Sequence, residues 1–165
     1  MYGIHDLIRE SINPALQLLP PVMDSISARI QLCATTVQES RIEVRKQIKG
    51  PAVSFYQFEK IGIQDVLERT TSAQHAKKIC DVFDVAPEVN AIYALMQQPE
   101  GDILASAFAR LNYWNDRAPL PSHTAPVSVR EAAAWAYYIK VWRPGKPHLS
   151  SWPMAYWRAY GANVG

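Results

Sequence analysis

The chain has 165 residues, which suggests one domain with enough chain for a core around a cleft, and nothing in it indicates a second folding unit. Apolar residues make up 48% and charged residues 19%, which excludes a disordered chain. A net charge of +2 is too small for the basic face of a nucleic-acid binder. No apolar run reaches membrane-spanning length, so no membrane insertion is expected. His5, Asp6, Arg9 and Glu10 interrupt the first apolar positions, which speaks against a signal peptide and predicts synthesis in the cytoplasm. Cys33 and Cys80 sit in apolar helical patterns and read as buried thiols, a disulfide between them being the lesser alternative. Neither has a ligand neighbour at metal-binding spacing and the four His are scattered, so no metal and no cofactor are expected.

Residues Ile4 to Leu19 have helical spacing, interrupted by Asn13-Pro14 and closed by Pro20-Pro21. This predicts a helical hairpin, an N-terminal extension over residues 1–23. Asp24 or Ser25 is placed to cap a longer helix, with Ile26, Ile30, Cys33 and Val37 as its core stripe. Leu32, Thr35 and Glu39 form an adjoining stripe, which puts the Glu39 carboxylate at the margin of the apolar face, half buried. Residues 48–59 contain Gly50-Pro51 and read as an irregular turn or short extended segment.

Helices are then expected over Ile63 to Arg69, Ser72 to Phe83, from Pro87 through Met96, and from a cap at Asp102 to Trp114. A Pro-rich surface loop covers residues 117–126. Ser128-Val129-Arg130-Glu131 has the pattern of a capping box, with Val127 and Ala132 as its staple. The helix it opens carries Trp135, Tyr138, Ile139 and Trp142 and stops at Pro144-Gly145, and a last helix is expected near Trp152 to Tyr160. The fold class is therefore all-α.

Gln38-Glu39-Ser40-Arg41, followed by Gly50-Pro51-Ala52-Val53-Ser54-Phe55-Tyr56-Gln57, resembles the signature of the lytic transglycosylases and goose-type lysozymes. Their pattern is Glu-Ser on a helix and then Gly-Ala-x-Gly-Leu-Met-Gln. Pro51 stands at the first Gly of that pattern, Ser54 at the second and Tyr56 at the Met. The resemblance covers Ile30 to Gln57 and, loosely, Asp102 to Asn115. It implies a compact lysozyme-like helical domain that cleaves peptidoglycan between N-acetylmuramic acid and N-acetylglucosamine, either as a transglycosylase or as a muramidase.

Under this resemblance Glu39 is the catalytic acid and base, its pKa raised by burial. Ser40 supports it, Gln57 bonds substrate or the turn's own backbone, and Phe55, Tyr56 and Phe58 form an apolar wall, the first two also placed against the substrate. Glu59 is the alternative second carboxylate of a two-acid mechanism, with Asp65 and Glu68 weaker candidates. The family also places a Tyr from a later helix near the Glu. Tyr113, with Asn115 beside the substrate, is the assignment here, and another alignment puts Phe108 at that place. Trp and Tyr of the C-terminal third and the basic turn Trp142 to Pro147 are suited to sugar rings and peptide carboxylates.

A cytoplasmic chain acting on cell wall implies a phage lysin or a virion component, with glycan strands and other virion proteins as partners. Ser54 at a position that needs a positive φ changes or strains the turn. This leaves a non-catalytic virion or tail protein of the same fold as the second reading. An accidental match in an unrelated helical protein is the third.

Overall fold

The computed structural model describes residues 1–165. It is all-helical and has no strands. The helices are α1 (Ile4–Leu7), α2 (Asn13–Gln17), α3 (Ile26–Ser40), α4 (Lys60–Glu68), α5 (Ala73–Val82), α6 (Val89–Leu95), α7 (Asp102–Trp114), α8 (Val127–Trp142) and α9 (Trp152–Val164). Thirty-eight buried residues form a single core cluster.

The N-terminal segment is one unbroken helix rather than a hairpin. A π turn over Ile8–Ile12 joins α1 to α2. Pro14 lacks an N–H and its ring would strike the carbonyl of Glu10 in a regular helix; the wider turn relieves that clash and the chain continues. The segment packs into the body of the fold, with Leu7, Ile12 and Ala15 fully buried. The Ser11 hydroxyl donates to the Asp102 carbonyl at 2.8 Å and lies 2.7 Å from the Ser106 hydroxyl of α7.

Helix α3 is the axis of the fold. Ser25 caps it, its side chain accepting from the Ala28 N–H at 3.0 Å. Every residue from Ile30 to Val37 is buried, so the helix is wrapped on all sides by α7, α8, α9 and the π turn. The two-stripe expectation was too narrow, and Ile26, its first member, is exposed. The polar residues tolerate this burial because Thr35 and Thr36 return their hydroxyl protons to the carbonyls of Gln31 and Cys33. Both cysteines are free and buried, and burial pushes the Cys33 thiol up to about 12.

Three expected helix starts take another form. Asp102 is the first residue of α7 instead of its cap, because its carboxylate receives two bonds from the Arg45 guanidinium, at 2.8 and 2.9 Å. Arg45 also lies over the Phe55 ring at 4.4 Å, so this ion pair ties the irregular segment to α7. Helix α8 starts at Val127 with Pro126 as its cap, and the Ser128 capping box is absent. The Pro126 carbonyl accepts from the Val129 and Arg130 N–H groups, while Val127 and Ala132 are exposed and make no staple. Pro87 lies outside α6, whose cap is Glu88.

Gly101 precedes α7 where the chain passes the end of α6. A Cβ there would lie 2.2 Å from the Leu95 carbonyl oxygen and 2.6 Å from its carbon, both backbone atoms that cannot rotate away. Gly101→Ala is therefore expected to cost about 1–3 kcal/mol through forced separation of α6 and α7. A denaturant melt showing no loss would mean that the junction is loose.

Candidate active site

Three local devices bring Glu39 to a groove. First, α3 ends one residue after it, at Ser40, and Arg41 takes the left-handed conformation (φ 55°). Second, the Ser40 hydroxyl donates to the Phe55 carbonyl at 2.7 Å and accepts the Ile42 N–H, which fastens the helix end to the returning chain. Third, residues 46–58 fold back on themselves through the bridge pairs Lys46–Val53 and Val53–Phe58. Ser54 has φ 66° and Gln57 φ 53°, so the Ser that replaces the pattern's Gly does adopt the left-handed conformation. Its strain is offset locally, because the Ser54 side chain accepts the Tyr56 N–H and its carbonyl accepts from both the backbone and the side chain of Gln57.

The groove, about 800 Å³, runs between this segment and α4 on one side and the end of α8 with the turn after it on the other. Glu39, Gln57, Phe58, Glu59, Tyr138 and Trp142 are among its lining residues. The Tyr138 hydroxyl donates to Glu39 Oε1 at 2.5 Å. No second hydrogen bond reaches the carboxylate, so Oε2 is without a protein partner. No cation lies within ion-pair distance of the carboxylate: Arg45 is committed to Asp102, and Arg41 makes no ion pair. Burial therefore dominates and raises the Glu39 pKa to about 7, against the opposing pull of the Tyr138 hydrogen bond. A carboxylic acid that keeps its proton near neutral pH suits general acid catalysis.

Comparison with known proteins gives no match. No family model, no curated protein and no solved structure corresponds to this chain. The chemistry must be read from the groove itself.

Of the residues singled out in the sequence, Glu39, Gln57 and Glu59 meet in the groove, and Asp65 of α4 lines it farther along. Glu68 is exposed and bonded to Gln64. Glu59 is an exposed residue at the start of α4 whose side chain makes no cap bond. Gln57 bonds the turn's own backbone, at Ser54, through its amide nitrogen. Ser40 holds the backbone and does not touch the carboxylate.

Four assignments need correction. Tyr113 is buried, its hydroxyl bonded to Thr35 at 2.6 Å, and the tyrosine on Glu39 is Tyr138 of α8. Asn115 is at the end of α7, bonded to Thr71 and Ser72, so the α7 residue in the groove is Asn112. Phe55 is buried between Tyr2 and Arg45. Tyr56 points into the core, where its hydroxyl lies 2.9 Å from that of Ser106. Of the expected apolar wall only Phe58 lines the groove, packed against Trp142 with ring centres 5.2 Å apart, and the Trp142 indole N–H is fixed on the Tyr56 carbonyl.

The signal for Tyr138 was present in the sequence as the stripe Trp135, Tyr138, Ile139 and Trp142. Spacing alone did not say that this stripe crosses the end of α3. Tyr138→Phe is expected to move the alkaline limit of any Glu39-dependent activity upward by about one pH unit, because the hydrogen bond that favours the ionised form is lost. A pH–rate profile, or an NMR titration of the carboxyl, checks the direction.

Proposed function

We propose that the protein is a glycosidase of lysozyme-like type that cleaves the peptidoglycan backbone between N-acetylmuramic acid and N-acetylglucosamine, using Glu39 as acid and then base. The observation that carries this reading is Glu39 itself, half-buried with a raised pKa, without an ion-pair partner, hydrogen-bonded by Tyr138 and lining the groove. The signature around Glu39-Ser40 and Ala52 to Gln57 supports the same reading.

In the first step the proton on Glu39 passes to the bridging oxygen as the bond from that oxygen to the anomeric carbon breaks. In the second step the carboxylate takes the proton of the hydroxyl that attacks the anomeric carbon. With the sugar's own C6 hydroxyl as nucleophile the product is an anhydro end, and with water it is a reducing end. The first route needs no second carboxylate. The second would give Glu59 or Asp65 a role in activating water. A phage origin, as a lysin or a virion-borne wall-opening factor, belongs to the same proposal.

The test is release of soluble fragments from purified peptidoglycan, with Glu39→Gln as the control and mass analysis of the new ends. Release by the wild type that vanishes in the variant supports the enzyme. Absence of release by either, with co-sedimentation of the protein on phage particles, favours a virion structural component.

A further inference from the structure

The lining of the groove carries charges of both signs. Helix α8 stops where Arg143 turns left-handed (φ 48°), its N–H bonded to the Ile139 carbonyl at 3.1 Å. The following Pro144-Gly145-Lys146-Pro147 is stiffened by two fixed φ angles. Arg143 and Lys146 thus lie at set places on the groove wall instead of on a long mobile loop. On the facing wall, Asp65 of α4 approaches the Arg143 guanidinium to 4.0 Å.

This pair differs in kind from the other guanidinium–carboxylate contact near the groove. Arg45 and Asp102 are bidentate, with little side-chain exposure on Asp102 (10%). Arg143 and Asp65 meet at the limit of an ion pair with 69% and 39% of their side chains exposed, so their attraction is screened and weak. Lys146 has no anionic partner at all. Two cations on a groove wall, one unpartnered and the other loosely held, are available to an incoming anion.

We propose that Arg143 and Lys146 form a subsite for carboxylates carried by the ligand, and that Asp65 is an internal placeholder which the ligand's carboxylate displaces. The inference rests on the glycan-cleaving reading only for the identity of the ligand. Under that reading the preferred substrate is a glycan strand whose peptide side chains keep free carboxylates, over a neutral glycan of the same length. A guanidinium receives a carboxylate through two parallel bonds, and the ammonium adds a point charge one short turn away.

Binding to purified sacculi is measured in a Glu39→Gln background, so that no cleavage occurs, and compared with sacculi whose carboxylates have been capped as methylamides. Arg143→Gln with Lys146→Gln should weaken binding to untreated sacculi by roughly tenfold at low salt and leave binding to capped sacculi unchanged. Asp65→Asn should tighten binding to untreated sacculi a few-fold, and that gain should vanish when Arg143 is also Gln. Both differences should shrink in high salt.

Equal losses on capped and untreated sacculi, a weaker Asp65→Asn variant, or no binding by any form would overturn the subsite. These exposed residues leave the fold intact, which a thermal melt verifies. Charge-dependent binding by a protein that never releases fragments would sink the cleavage reaction and leave the subsite standing. Cleavage without the charge pattern would do the reverse.

Discussion

Replacing Glu39 by Gln is expected to have two opposite effects, lost activity and a more stable protein above neutral pH. The general acid and base contributes roughly 10²–10⁴-fold to rate, so fragment release should fall by about that much. The stability gain follows from the raised pKa of about 7 against an ordinary 4.5. Below pH 4.5 the carboxyl is protonated in both the folded and the unfolded chain, and its contribution to stability is fully present. Between pH 4.5 and about 7 the unfolded chain has released the proton while the folded chain still holds it in a partly buried site, so stability falls over that window and levels off above it. By pH 8 the loss amounts to about 3 kcal/mol.

The amide of Gln does not titrate and can still accept from Tyr138. The variant should therefore melt roughly 6–12 °C above the wild type at pH 8. At pH 4 the two should melt together. A variant no more stable at pH 8 would show that the carboxylate is well hydrated. A variant that still cuts glycan would remove Glu39 from the chemistry.

The features legible in the sequence are those that local pattern determines. Ser25 caps α3 because its side chain needs only the N–H three residues on, and α8 stops before Pro144 because proline cannot continue it. The margin position of Glu39 followed from helical spacing from Leu32. Wherever a choice depended on distant partners, spacing was silent. Asp102 has the right residue type for a cap, yet Arg45, fifty-seven residues earlier, claims its carboxylate. Ser128 and Glu131 have capping-box spacing, yet Pro126 starts the helix earlier, and Glu131 accepts the Trp157 indole N–H instead.

The tyrosine shows the limit most clearly. Eight are available, and the one that reaches Glu39 is ninety-nine residues away. The sequence points to Tyr113 because its helix carries a pattern that resembles a family segment. Nearly all of α7 is buried, and its tyrosine is drawn inward to satisfy Thr35 and Gln31. Only the packing of α8 across the end of α3 decides the matter. That packing is set by aromatic rings in the C-terminal third, whose role as core or as sugar platform was left open by the sequence. Tyr138 and Trp152 are core, while Trp142 serves both, half-buried against Tyr113 and Phe58 with an edge on the groove.

Trp152 carries the other large effect. Its side chain is fully buried, its ring stacks on Tyr138 at 5.0 Å between centroids, and its indole N–H donates to the Glu131 carbonyl. It is also the first residue of α9, the helix packed most extensively on α3, so one side chain locks the last helix, α8 and the tyrosine that holds Glu39. Trp152→Ala should cost about 3–5 kcal/mol, the transfer of a large aromatic plus the cavity it leaves. Trp152→Phe keeps a ring against Tyr138 and loses the hydrogen bond, and should cost about 1–2 kcal/mol.

The two variants separate stability from positioning. With Tyr138 unsupported, the folded fraction of Trp152→Ala should show the same upward shift of the alkaline limit as Tyr138→Phe, whereas Trp152→Phe should keep the wild-type profile. Denaturant melts and pH–rate profiles on the same samples check both. If Trp152→Ala lowers stability and leaves the pH profile untouched, Tyr138 is held by Trp135 and the helix backbone alone, and the C-terminal helix has no part in setting the acidity of Glu39.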